Sequence, residues 1–157
     1  MIDSAIQQFS PLVLDAFITD RAMGKTHLLA STAVDFLKVH QGRTVLFVEP
    51  SFLIVEQSAI PALTTAFENA TFVRGVNYEY ARLRHRFMMA SGSIIELASM
   101  DRNQEQRTAQ FAGMRPDLIL VDNADMVFLG DILALRKRLN PNRPEDGGIR
   151  LSATDSL

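Results

Sequence analysis

Phe17-Ile18-Thr19-Asp20-Arg21-Ala22-Met23-Gly24-Lys25-Thr26 joins an apolar run, Leu12 to Ile18, to a stretch of helical spacing, Thr26 to His40, closed by Gly42. A buried strand, a tight turn and a helix in that order can build a phosphate site from three parts. Gly24 lets the backbone turn and approach an anion closely. The start of the helix presents free N–H groups and the positive end of its dipole. Lys25 adds a point charge for β- and γ-phosphates, and the Thr26 hydroxyl can ligate magnesium. The nucleotide-contacting segment is expected to run Thr19, Asp20, Arg21, Ala22, Met23, Gly24, Lys25, Thr26 and His27. The pattern G-x-x-x-x-G-K-[ST] is met except at its first position, where Thr19 replaces glycine. Taken alone, Gly-Lys-Thr also fits a lysine on the first turn of an ordinary helix.

Asp117-Leu118-Ile119-Leu120-Val121-Asp122 supplies the complementary half. Four apolar residues ending in an acid are what a magnesium-orienting carboxylate at the end of a buried strand requires. In an open α/β sheet such an acid and a phosphate loop share one crevice at the C-terminal strand ends. Gly24, Lys25, Thr26 and Asp122 together predict binding of ATP, or a closely related nucleoside triphosphate, with Mg2+, the metal held at Thr26 and Asp122. The phosphate-loop strand is expected inside the sheet, beside the strand ending at Asp122.

Working outward, apolar β-rich runs alternate with helical patterns, which gives an α/β domain with a largely parallel sheet. Thr44 to Val48 reads as a second buried strand ended by Pro50, followed by helix from about Ser51 that is interrupted or restarted at Pro61. Val76 to Arg84 is expected to be helical. Arg86 to Ala90 and Ser93 to Ala98 flank Ser91-Gly92 as a hairpin. Ala124 to Leu139 reads as a helix, Asn140 to Gly148 as a loop, and Ile149 to Ser152 as a last short strand. The 157 residues match one domain, residues 1–157, with 47% hydrophobic and 22% charged residues as in ordinary globular chains. The absence of cysteine excludes disulfides and thiolate metal sites and fits a reducing compartment. No apolar run is long enough to span a membrane. A net charge of −2 leaves any nucleic-acid contact to a local patch.

With these residues in view, the chain resembles the ATPase domain of phage terminase large subunits, the motors that package double-stranded DNA into capsids. Arg21-Ala22-Met23-Gly24-Lys25-Thr26 matches the R-x-x-G-K-T form of that family, which often lacks the first glycine. The separation of Lys25 from Asp122 is similar, and Ser152-Ala153-Thr154 falls where the family places its coupling motif. The resemblance implies a RecA-like P-loop NTPase core, a mostly parallel sheet sandwiched by helices. It implies that Arg21 senses the γ-phosphate and stabilises transition-state charge. It implies that Ser152, Ala153 and Thr154 sense hydrolysis, and that Gln7 or Gln8 contacts adenine. As partners it implies double-stranded DNA, a homo-oligomeric ring, and portal, capsid or small terminase subunits, in the cytoplasm of a bacterial host.

Two departures stand out. The family carries Asp-Glu at the end of the acid strand, the Glu orienting or deprotonating the attacking water; here the pair is Asp122-Asn123. An amide holds a water without taking its proton. Slow hydrolysis with intact binding is therefore expected, with Lys25, Arg21, Asp122 and Asn123 as the catalytic set and Asn123→Glu as the substitution that restores turnover. Asp125 points differently along the expected helix and is a poor substitute. The family also continues into lid and nuclease regions, and these are expected to be absent here. Arg82, Arg84 and Arg86, interleaved with Tyr78, Tyr80 and Phe87, are candidate DNA contacts or else a solvated helix face. His27, His40 and His85 lack metal-ligand spacing. A helicase-like motor, a loader ATPase and a regulatory nucleotide-binding module without turnover are the competing readings.

Overall fold

A computed structural model of the chain describes residues 14–19, 24–101, 103–142 and 147–154. Its centre is the pair of strands β2 (Thr44–Glu49) and β6 (Leu118–Val121), parallel, with Val48 opposite Val121. Successive side chains on a strand point to opposite faces. Val45, Phe47, Leu118 and Leu120 accordingly pack on one face, and Leu46, Val48, Ile119 and Val121 on the other. Burial on both faces is why these strands read as unbroken apolar runs rather than alternating ones.

The full sheet adds β1 (Leu14–Thr19), β3 (Tyr78–Ala81), β4 (Arg86–Met89), β5 (Ile94–Ser99) and β7 (Gly148–Thr154) in the order β1-β7-β6-β2-β5-β4-β3. The first five strands in that order are mutually parallel, and β4 runs antiparallel to both β5 and β3. This is the expected α/β core, with one correction to its order. The final strand, β7, inserts between β1 and β6, so the phosphate-loop strand is outermost among the described strands and is not beside the one ending at Asp122. The apolar runs signal strands, but their lengths carry no information on which neighbours which.

On the first face lie α1 (Lys25–Val39) and α2 (Ile60–Asn69), burying Leu29, Ala33, Leu37, Leu63 and Phe67 against the sheet. The approach to α2 starts at Phe52–Ile54, where the Ser51 side chain accepts from the Ile54 N–H, and passes through a π-helical turn at Val55–Ala59. Pro61 follows that turn. Its missing N–H and its ring both act against regular bonding to the preceding turn, which accounts for the expected interruption. On the second face α4 (Leu129–Arg136), preceded in the chain by α3 (Gln104–Phe111), packs Ile132 and Leu135 over Ile119, Val121 and Leu151. No described helix is long and apolar enough to cross a membrane.

Two local expectations fail. Val76 to Arg84 is not helical: Tyr78–Ala81 is the outer strand of the β3–β4 hairpin, and Arg82–Arg84 a single 3-10 turn. Tyr78 is buried and stacks on Phe67 while Glu79 is exposed, a two-residue alternation that belongs to a strand. The helix expected from Ala124 to Leu139 is divided. A 3-10 turn, Ala124–Met126, gives way to extended backbone at Val127 and Phe128 before α4 begins.

Candidate nucleotide site

Parallel register carries a row of polar residues to the C-terminal edge of the sheet. Phe47 opposite Leu120 places Glu49 opposite Asp122, and Val121 opposite Leu151 places Asp122 opposite Ser152. Two residues beyond Phe47 and Leu120, Glu49 and Asp122 project to the face covered by α1. Both are fully buried, as is Ser152. The row closes on α1 itself, where the Thr26 hydroxyl donates to Asp122 Oδ2 at 2.6 Å. Ser152 donates its hydroxyl proton to Asp122 Oδ1, and its Oγ accepts from the Asn123 N–H at 3.1 Å. Thr26, Asp122 and Ser152, distant in sequence, thus form one hydrogen-bonded chain from helix to acid strand to β7.

Gly24 sits before α1 at φ 72°, ψ 30°, a left-handed conformation that disfavours any residue with a Cβ. Among the described residues a Cβ there would meet no neighbouring atom, so the backbone angle is what favours glycine. No side chain among the described residues caps the helix at Gly24, and its first turn carries no acid. Such an uncapped start suits an anion. Lys25 is buried beside it, and His27 is exposed. Asp20, Arg21, Ala22, Met23, Gln7 and Gln8 lie outside the described residues. Register pairs Thr19 with Thr154 at the shared end of β1 and β7.

A hydroxyl that gives its proton to a carboxylate keeps its oxygen lone pairs for a hard cation. Thr26 backed by Asp122 therefore fits magnesium, which takes oxygen donors and retains waters.

The sequence reading ends the second strand at Val48 and does not single out Glu49, yet Glu49 belongs to the site. Asn123 Nδ2 donates to Glu49 Oε2 at 3.2 Å and to Asp122 Oδ2 at 3.3 Å. Burial first, then contact with the Asp122 carboxyl, pushes Glu49 up to about 10, against the weaker pull of the Asn123 amide and Lys25. The signal is there to be read: Thr44 to Glu49, like Leu118 to Asp122, is an apolar run terminating in an acid. Asn123 itself has φ 51°, a left-handed position that asparagine tolerates better than most residues. Asp125 is exposed on the following turn.

The basic candidates separate. Arg86 pairs with Glu96 at 2.8 Å, half-buried within the sheet, whereas Arg82 and Arg84 are on their 3-10 turn with the exposed Leu83 between them. Because β4 runs antiparallel to β5, with Arg86 opposite Glu96, that turn emerges at the same sheet edge as Asp122. His85 packs edge-on against Phe52, as a structural histidine does, and the described residues contain no cluster of His, Cys, Asp and Glu suited to a metal.

A mostly parallel sheet flanked by helices, with a glycine-led helix start facing an acid strand, defines a RecA-like α/β core. The comparisons place it more closely: its fold is that of the ATPase domain of phage large terminases. The large terminase of a thermophilic bacteriophage superposes with a TM-score of 0.73 at 11% identity, over 92% of this chain and 34% of that one. The same enzyme in complex with ATP-gamma-S gives 0.65 at 8% identity, over 88% and 32%. The ATPase domain of a Thermus phage large terminase gives 0.57 at 16% identity, over 92% and 60%. The chain thus spans about a third of the first protein and three fifths of the last. No family model matches the sequence, and comparison with curated proteins returns no significant match.

Proposed function

We propose that this chain is the ATP-binding and hydrolysing core of a terminase-type motor that drives double-stranded DNA into a viral capsid. The observation that carries the reading is the Thr26–Asp122 hydrogen bond of 2.6 Å, which joins the two halves of the nucleotide site recognised separately in the sequence. Lys25 and the start of α1 bind the phosphates, while Gly24 permits the backbone to reach them. Mg2+, held by Thr26 with Asp122 behind it, neutralises phosphate charge when bound. Arg21, preceding Gly24 in the loop, is assigned to the γ-phosphate. Ser152, already bonded to Asp122, carries the state of the site into β7, with Ala153 and Thr154.

Arg82 and Arg84 offer two charges for the DNA backbone at the same edge as the nucleotide. A ring of copies working with portal, capsid or small terminase subunits in the bacterial host completes the assignment. One observation favours a second reading, a nucleotide-binding module without turnover: Asn123 stands where a carboxylate is usual. ATP turnover at high protein concentration, with and without double-stranded DNA, separates the two. The motor reading expects hydrolysis stimulated by DNA, with the stimulation reduced in an Arg82→Ala, Arg84→Ala double variant. Tight nucleotide binding without turnover in either condition supports the module.

A further inference from the structure

The Arg82–Arg84 turn projects from the sheet edge with little of its own to fix its shape. Both arginines are exposed, Leu83 between them is 96% exposed, and the bond closing the turn, from the His85 N–H to the Arg82 carbonyl, is long at 3.4 Å. What ties the turn to the fold is His85. Its carbonyl accepts from the Leu97 N–H at 2.9 Å, and its ring meets the Phe52 ring edge-on at 4.6 Å. It does so at φ 51°, a left-handed conformation that disfavours residues with a Cβ. The buried Nδ1 of that ring has no hydrogen-bond partner among the described residues, so packing against Phe52 is what holds it. Phe52 is fixed in turn from two parallel strands. Its N–H donates to Asp101 Oδ2 at 3.2 Å, and Asp101 Oδ1 accepts at 2.8 Å from Ser99, which ends β5 opposite Glu49 of β2.

Resting on the DNA assignment of Arg82 and Arg84 above, we propose that Phe52 and His85 are positioning residues for DNA binding, their ring contact holding the arginine turn in its binding shape. Neither residue touches DNA. An arginine on a mobile turn must be ordered when it binds a phosphate, whereas a turn fixed beforehand has met that cost in folding. Without the Phe52 ring, the left-handed backbone at His85 has less to hold it, and the binding shape becomes only fractionally populated. Apparent affinity for DNA then falls by that fraction. An aromatic pair is strong enough to shift such a balance about 2- to 10-fold. Lys25, Thr26 and Asp122 belong to α1 and the end of β6, so nucleotide affinity is not expected to follow.

The test is a mutant cycle read by fluorescence anisotropy of a labelled double-stranded DNA of mixed sequence, over a range of salt. Phe52→Ala and His85→Asn are each expected to weaken DNA binding about 3- to 10-fold. Asparagine tolerates the left-handed region, so His85→Asn removes the ring and spares the backbone. Phe52→Tyr keeps the ring and is expected to recover most of the affinity. Arg82→Ala with Arg84→Ala lowers the salt slope by up to about 2, whereas Phe52→Ala keeps the parent slope because both charges remain. In the arginine-free background Phe52→Ala is expected to change nothing further. Affinity for a fluorescent ATP analogue with magnesium should stay within about 3-fold throughout. Should Phe52→Ala fail to fold, His85→Asn carries the same cycle. Equal loss with and without the arginines overturns the proposal, since it marks a general loss of structure. So does unchanged DNA affinity in Phe52→Ala and His85→Asn, or nucleotide affinity falling in step with DNA affinity. A parent that does not bind DNA, or an arginine double variant that binds like the parent, overturns it by removing the DNA assignment, while nucleotide binding still stands or falls by its own titration.

Discussion

Asn123 shows how much one position depends on its backbone. At φ 51° it occupies the left-handed region, where a residue such as glutamate costs about 1 kcal/mol more than asparagine. Its amide also separates two carboxyl groups, Glu49 and Asp122. Asn123→Glu, which the sequence alone recommends as a gain of turnover, would therefore set a third carboxyl against two. The sign with pH follows from Glu49, whose folded pKa is raised to about 10. Stability contributed by its neutral form is fully present below its ordinary value of 4.5 and declines as pH rises toward 10. An added carboxyl raised by the same neighbours steepens that decline. Thermal melts are expected to show Asn123→Glu below the parent by at least about 2–4 °C near pH 6, and by more near pH 9. Unchanged melting with faster hydrolysis would show that position 123 accepts a working base after all.

At the scale of elements, the legible strands are those buried on both faces. Thr44 to Val48 and Leu118 to Val121 have a length and composition that suit few alternatives, and both are strands. The helix after Gly24 is marked at both ends. Tyr78 to Ala81 escapes a sequence reading because its basic, aromatic surroundings resemble a helix face, although Tyr-Glu-Tyr alternates in burial. The break at Val127 and Phe128 has no glycine or proline at those positions to announce it. The insertion of β7 beside β6 depends on long-range pairing, and one residue bears its steric cost. A Cβ at Gly147 would lie 1.9 Å from the Asp117 carbonyl oxygen, which itself accepts the Gly148 N–H. Gly147→Ala must displace backbone where β6 and β7 meet. A loss of about 1–3 kcal/mol is expected in denaturant unfolding, and wild-type stability would show that this close approach does not exist in solution.

Across the whole molecule, the proposed nucleotide site is legible as two separate motifs, and the fold brings them together. Lys25 and Thr26 lead a helix on one face, Asp122 ends a strand beneath it, and only the stacking of α1 on the sheet brings Thr26 and Asp122 within 2.6 Å. Glu49 ends an apolar run just as Asp122 does, and register sets the two acids side by side. Ser152 is reached through resemblance, and its hydroxyl is bonded to Asp122. The central claim is that this assembled edge binds a nucleoside triphosphate with magnesium. It is tested most directly by titrating a fluorescent ATP analogue, with magnesium, into the parent chain and into Lys25→Ala. Saturable binding by the parent is expected, abolished or severely weakened by the substitution; equal affinity in the two would contradict the claim.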